Sequence, residues 1–276
     1  MIRIFIIMHR IIYYYQTFIP LSLILFSNPF VTHIHLSSIH FGVNNDTSPY
    51  IHLNDYPPND PKFDNVWQNL QVAKENNIKN ILMIGGAGGA YNYLFSNFEV
   101  YYKLLYDVII KYPIDGIDLD IEESVNLDDV KMLIRRVKKD FGKDFIISMA
   151  PISYALKTNN SGLGSFSYNE LYNSKEGQTI DYFNGQFYGD YNFDSYKKVI
   201  DNNYPPNKIV MGMLSEDVSS NFCFTYNVVK NLSNTYPNFG GVFIWEYFNA
   251  PPNANFPILW SYYMHHALNN CSYCLN

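Results

Sequence analysis

Two patterns take turns along this chain: short β-branched or aromatic runs, and longer stretches with apolar residues at helical spacing. The runs predict strands at Arg10–Tyr15, Val31–His40, Asn80–Ile84, Gly116–Ile121, Phe145–Met149, Tyr182–Tyr188, Lys208–Met213 and Gly241–Trp245. Between them the 3.6-residue period predicts helices at Lys62–Asn77, Phe98–Tyr112, Leu127–Phe141, Asp194–Asn203, Phe222–Tyr236 and Phe256–Leu268. In the third, Val130, Leu133, Ile134 and Val137 form one stripe, with Arg135, Lys138 and Lys139 outside it. Prolines punctuate the joins at Tyr204-Pro205-Pro206 and Asn249-Ala250-Pro251-Pro252. Strands alternating with helices imply parallel pairing with right-handed crossovers. Eight of them favour closure over an open sheet, so the expected fold class is α/β, a single (β/α)8 TIM barrel. Residues 10–268 are expected to form it, with 1–9 as an N-terminal extension and 269–276 as a C-terminal tail.

Composition narrows the picture rather than changing it. The chain has 276 residues, 47% of them hydrophobic, enough for one large core. Aromatic residues make up 17%, which suits a sugar-binding protein without arguing for one. The formal charge is −6 and no run of Lys or Arg forms a stripe, so nucleic acid is not an expected partner. Cys223, Cys271 and Cys274 are too few for a disulfide framework, and no second pair completes a zinc site. The apolar N-terminal stretch is interrupted by His9 and Arg10, and the next by polar residues and proline. Neither reads as a signal peptide or a stable membrane span.

The segment Asp115-Gly-Ile-Asp118-Leu-Asp120-Ile-Glu122-Glu123 carries the most chemistry. Alternate residues of a strand share a face, so Asp118, Asp120 and Glu122 line up about 6.6 Å apart, and Ile117, Leu119 and Ile121 take the other side. An acidic face turned to water would be the ordinary reading of such alternation. A barrel strand has no solvated face, because one side meets helices and the other the barrel interior. Three carboxylates there cannot all remain ionised, and some must share protons. A carboxyl held protonated near neutral pH is what a general acid requires, and Glu122 lies at the C-terminal strand end, where barrel active sites are built. Asp115 is off the alternating parity and is expected to start the strand in a structural part.

The run DGIDLDIE reproduces the DxxDxDxE signature of glycoside hydrolase family 18, the chitinases and endo-β-N-acetylglucosaminidases, and the resemblance extends from about Arg10 to Leu268. Met83-Ile-Gly85-Gly86 resembles the family's SxGG strand, with Gly85 and Gly86 as structural support. Gln186-Phe-Tyr188 resembles the sixth-strand motif that supplies a catalytic tyrosine. Trp245 resembles the tryptophan beneath the reacting sugar, and Met149-Ala150-Pro151 the fifth-strand end. The resemblance implies a retaining, substrate-assisted reaction on β-1,4-linked N-acetylglucosamine polymers. In it Glu122 is the acid, Asp120 orients the acetamide, Asp118 shares a proton behind it, and the Tyr188 hydroxyl meets the acetamide oxygen. Trp245, Gln186, Tyr15 and Met149 are expected to border the sugar. An N-acetylglucosamine-containing oligo- or polysaccharide is the implied partner, with no metal and no cofactor. An N-glycan substrate, or a non-catalytic lectin of the same fold, is the alternative. Two departures stand out: Met83 replaces the family serine, and Gly189 replaces the usual Asn or Asp after the tyrosine, with Asp190 one place later.

Weaker signals receive plainer readings. Gly85-Gly86-Ala87-Gly88-Gly89 lacks the spacing of a phosphate loop and is expected to be a tight turn. His33 and His35 form an HxH, but no further His occurs between His52 and His265, so packing or hydrogen bonding is expected rather than metal ligation. The tripeptides at Asn45, Asn159, Asn231 and Asn270 fit glycosylation acceptors, which chance alone supplies in so Asn-rich a chain.

Overall fold

A computed structural model describes residues 9–27 and 30–270. Residues 1–8 of the expected extension and 271–276 of the expected tail lie outside the described residues. Eight strands pair in parallel in the order β1-β9-β8-β7-β6-β5-β4-β2, and β2 pairs back with β1 to close the barrel. They are β1 (Arg10–Tyr15), β2 (His33–Val43), β4 (Lys79–Gly85), β5 (Gly116–Asp120), β6 (Ile146–Met149), β7 (Tyr182–Gln186), β8 (Ile209–Leu214) and β9 (Gly241–Trp245). The strand missing from the sequence reading is β3 (Pro49–Leu53), which folds back antiparallel on β2. β2 therefore outruns its barrel neighbours, and its pairing with β4 shifts register between Leu36 and Ile39. The hairpin makes one wall of the barrel mouth.

The long helices form as their apolar stripes dictate. These are α2 (Asp64–Glu75), α4 (Phe98–Lys111), α5 (Leu127–Phe141), α8 (Phe193–Asp201), α10 (Phe222–Thr235) and α11 (Ile258–Leu268). In α5, Val130, Leu133, Ile134 and Val137 are all buried. Asn126 caps its start by accepting the Asp128 N–H at 2.9 Å, Asp128 and Asp129 sit in the first turn, and Lys138 and Lys139 in the last. The helix stops at Gly142, whose φ of +88° lies in the left-handed region. Burying each such aliphatic side chain contributes about 1.5–3 kcal/mol, so Leu133→Ala would cost about 2–5 kcal/mol. Five short helices have no counterpart in the sequence pattern: α1 (Ser22–Ser27), α3 (Tyr91–Ser96), α6 (Ser153–Lys157), α7 (Tyr168–Tyr172) and α9 (Ser215–Ser219). At five or six residues each they are too short to display a stripe.

Strand alternation splits the interior in two. Outward residues such as Ile117, Leu119, Ile147 and Phe183 join the large core between strands and helices. Inward ones, Ile12, Tyr14, Met83, Tyr182, Val210 and Phe243, fill the lumen as a smaller cluster. No helix among the described residues is long and apolar enough to cross a membrane.

Candidate active site

The acidic strand β5 lies between β4 and β6 and carries Asp118 and Asp120, with Glu122 two residues past its end. Asp115 precedes it. One oxygen accepts the Asn80 N–H at 3.0 Å and the other lies 3.3 Å from Lys74 Nζ, so it fastens the strand entrance to β4.

Asp118 is fully buried. Its Oδ1 accepts from Ser148 Oγ at 2.6 Å and from Asn184 Nδ2 at 3.2 Å. Its Oδ2 accepts from the Tyr14 hydroxyl at 2.6 Å and lies 3.4 Å from His35 Nδ1. Burial works to raise its pKa, but His35 and the Ser148 and Tyr14 hydroxyls outweigh it and hold the carboxyl below the ordinary aspartate value.

Asp120, one step up, has the opposite surroundings. Among the described residues its one hydrogen bond to a side chain comes from Gln186 Nε2 at 3.2 Å, while Gln186 also donates to the Ala150 carbonyl at 2.8 Å. Burial, then the charges of Glu122 and Asp118, push Asp120 well above the ordinary value. Its surroundings thus favour the protonated over the ionised carboxyl. Glu122 is half-buried, beyond the strand end, and makes no hydrogen bond among the described residues. Tyr188 is half-buried beside it, its hydroxyl pushed well up by burial and then by the charges of Asp120 and Glu122.

These groups open into a cleft of about 680 Å3 at the C-terminal end of the barrel, within the range of ordinary ligand pockets. Asp120, Glu122, Gln186, Tyr188, Trp245 and Met83 line it, together with Gln16, Thr17, Ser38, His40, Asn54 and Asp55. Gly85 and Gly86, at φ of +94° and +80°, turn the chain at its edge. A Cβ on Gly85 would stand 2.3 Å from the Asp120 carbonyl, and the Gly86 N–H donates to that carbonyl at 2.9 Å. Both glycines thus permit close approach to the acidic strand, and the loop holds a tight turn.

Two expected sugar contacts are not in the cleft. Tyr15 is 1% exposed, donates its hydroxyl to the Ile19 carbonyl at 2.8 Å and packs among Phe18 and Tyr247 in the outer core. Met149 is fully buried in that same core. Strand parity is the reason: Tyr14 and Ser148 take the lumen face, so their neighbours point towards the helices. The departures are also accounted for. Met83 pairs in register with Asp118 but brings no donor, and Ser148, opposite Asp118 on β6, supplies a hydroxyl. Asp190 turns outward to an ion pair with Lys157 and a hydrogen bond from Ser195 Oγ at 2.5 Å. The Gly189 N–H donates instead to Asp217 Oδ2 at 2.6 Å.

Several site-building residues escaped the sequence reading. Tyr14, Ser148 and Asn184 seat Asp118, and parity was the available signal, since Asn184, Gln186 and Tyr188 alternate along one run. Glu123 accepts the N–H groups of Ala90, Tyr91 (2.6 Å) and Asn92 (3.2 Å), pinning the start of α3 beside Glu122. Glu246 accepts the Gln16 and Thr17 N–H groups, both at 2.8 Å, and holds the loop after β1 next to Trp245. No sequence signal marked either clamp. His33 bonds Thr32 Oγ1 at 2.7 Å, and no cluster of three or more His, Cys, Asp or Glu is placed to hold a metal among the described residues.

A parallel barrel with a row of acids rising to a cleft that Tyr188 and Trp245 help to line fits the class of barrel glycosidases. Residues 10–216 match glycosyl hydrolases family 18, and the chain belongs to that family. Among solved structures it is similar to a fungal endo-β-N-acetylglucosaminidase of family 18, at 31% identity and a TM-score of 0.83 over 95% of this chain and 98% of that one. It is equally similar to the chitinase ChiC from Aspergillus fumigatus, at 31% identity and a TM-score of 0.81 over 94% and 99%. It is also 26% identical to Chitinase 2 of Rhizopus oligosporus over 222 residues, which are 69% of this chain but only 38% of that protein.

Proposed function

We propose that this chain hydrolyses β-1,4-linked N-acetylglucosamine in chitin or chitooligosaccharides, with retention and with help from the substrate's own acetamide. The observation that carries the reading is the placing of a buried Asp120, its pKa pushed up, beside Glu122 at the cleft. Glu122 protonates the glycosidic oxygen as the acetamide oxygen attacks the anomeric carbon, giving an oxazolinium-like intermediate. Asp120 gives its proton to Glu122 as the substrate seats, so that Glu122 is loaded as the acid and the Asp120 carboxylate orients the acetamide and balances its developing positive charge, while the Tyr188 hydroxyl donates to the acetamide oxygen. Trp245 supports the reacting ring. Water, deprotonated by Glu122, then opens the intermediate.

Cleavage of the chitobiose core of N-glycans by the same chemistry is the second reading. It is favoured by the likeness to the fungal endo-β-N-acetylglucosaminidase, as close as that to the chitinase. Hydrolysis of fluorogenic chitobiose and chitotriose glycosides, and of a high-mannose glycopeptide, tests both with Glu122→Gln alongside. Turnover in the wild type that the variant lacks supports the reaction, and the preferred substrate chooses between readings. Equal binding by both proteins without turnover would make the chain a lectin.

A further inference from the structure

The clamp at Glu123 bears on the residue beside it. Glu122 makes no hydrogen bond among the described residues, so its place at the cleft is set by the chain on either side. On the near side the Asp120 carbonyl accepts the Gly86 N–H at 2.9 Å, and Ile121 is buried. On the far side Glu123 Oε1 accepts the Ala90 N–H and, at 2.6 Å, the Tyr91 N–H, while Oε2 accepts the Asn92 N–H at 3.2 Å. Two residues on, the Val125 N–H donates to the Gly164 carbonyl at 3.1 Å.

The partner that Glu123 grips is itself anchored. Tyr91 is fully buried, and its hydroxyl donates to the Ile84 carbonyl on β4 at 2.8 Å. Its ring packs so closely on Gly85 that a Cβ there would lie 2.7 Å from it. Gly89, at φ of +69°, runs alongside: a Cβ on it would lie 3.1 Å from Glu123 Oε1, and its carbonyl lies 2.8 Å from His40 Nδ1. No Lys or Arg pairs with Glu123 among the described residues, so its charge is met by backbone donors, in bonds stronger than neutral ones. One carboxylate thus ties the end of β5 to β4 and to the glycine turn.

We propose that Glu123 is a positioning residue for the general acid: by gripping the start of α3 it fixes the backbone on the far side of Glu122 and holds that carboxyl where it meets the glycosidic oxygen. The role rests on the proposed hydrolase reading. A general acid works only within hydrogen-bond reach of the atom it protonates, and a misplacement of about 1 Å costs about 10^2-fold in rate. Gln186, Tyr188 and Trp245 stand on or just past β7 and β9, which Glu123 does not touch. Loss of the clamp therefore weakens protonation of the leaving group and leaves the sugar-binding wall in place.

The test compares wild type with Glu123→Ala (clamp lost), Glu123→Asp (charge kept, reach lost) and Glu123→Gln (length and one acceptor kept), each checked for folding by thermal melting. For each, kcat/KM is measured on chitotetraose, whose leaving sugar needs a proton, and on a dinitrophenyl chitobioside, whose leaving group departs without one. In the Ala and Asp variants it should fall by about 10^2-fold on chitotetraose and by less than about threefold on the dinitrophenyl glycoside. Glu123→Gln should recover most of the loss, because its Oε1 still accepts the Ala90 and Tyr91 N–H groups. The Asp variant carries the comparison if the Ala variant does not fold. Equal losses on both substrates, or no loss on either, would overturn the role of Glu123 and leave the hydrolase reading standing. A wild type inert on these and on the high-mannose glycopeptide would remove that reading, and the role of Glu123 with it.

Discussion

Asp118 and Asp120 are two residues apart on one strand face, and the two layers of lumen around them could hardly differ more. The lower layer is sealed: Tyr14, Ser148, Asn184 and His35 surround a carboxylate that burial alone would neutralise. The upper layer is open to the cleft, holds its acid with one side chain, and sets it against two like charges. Burial is nearly the same for both, at 0% and 6% exposed. Hydrogen-bond donors and neighbouring charges, not depth, therefore decide which way each carboxyl is pushed. The lower acid is stabilised as a charge, the upper destabilised as one, and only the upper is equipped for proton chemistry.

The largest expected effect is at the open layer. Glu122→Gln should lower kcat by about 10^3-fold, around 4 kcal/mol of transition-state stabilisation, with substrate binding retained. Equilibrium binding of chitotriose by the variant, measured by calorimetry, separates that loss from misfolding.

Next comes the sealed layer. Asp118→Asn must place an amide NH2 or its oxygen where three donors converge, costing about 3 kcal/mol and lowering Tm by about 6–12 °C. In the wild type the Asp118 contribution is present above the ordinary aspartate value, near 3.9, and is lost as pH falls through its lower folded-state value.

Asp120→Asn should show the reverse sign in stability. A raised folded-state pKa means stability is lost as pH rises from about 3.9 towards that value, because the unfolded chain ionises first. The Asn variant should thus gain about 2–4 °C in Tm at pH 7 and nothing at pH 3, while kcat falls about 10^2-fold. Scanning calorimetry across pH checks the crossover, and a parallel loss at both pH values would break the contrast between the layers.

Smallest is Tyr15→Phe. It removes one hydrogen bond in the outer core, about 1 kcal/mol, and should leave KM unchanged. An altered KM would mean that Tyr15 reaches the sugar after all.

The barrel itself was legible because its signals are periodic and long. All eight barrel strands and the six long helices follow apolar patterns that tertiary packing uses as they stand. The hairpin strand Pro49–Leu53 was not, since its half-buried residues show no strict alternation and it pairs locally with β2. Within the site, Asp118, Asp120 and Glu122 were readable from parity on one strand. Tyr15 and Met149 stand one position off that parity: Tyr14 and Ser148 face the lumen, and their neighbours at the strand ends turn to the outer core. The partners of Asp118 come from β1, β2, β6 and β7, and their convergence depends on closure of the sheet. Glu123 and Glu246 bond backbone groups far along the chain, which no local pattern announces.

The most direct test of the proposed reaction is the anomeric form of the first product. Chitotetraose hydrolysis followed by proton NMR within seconds to minutes of mixing, before mutarotation, should show the β-anomer appearing first, with an analogue lacking the N-acetyl group at the cleaved residue left intact. An α-anomer at first appearance, or ready cleavage of the de-N-acetylated analogue, would contradict retention assisted by the substrate acetamide.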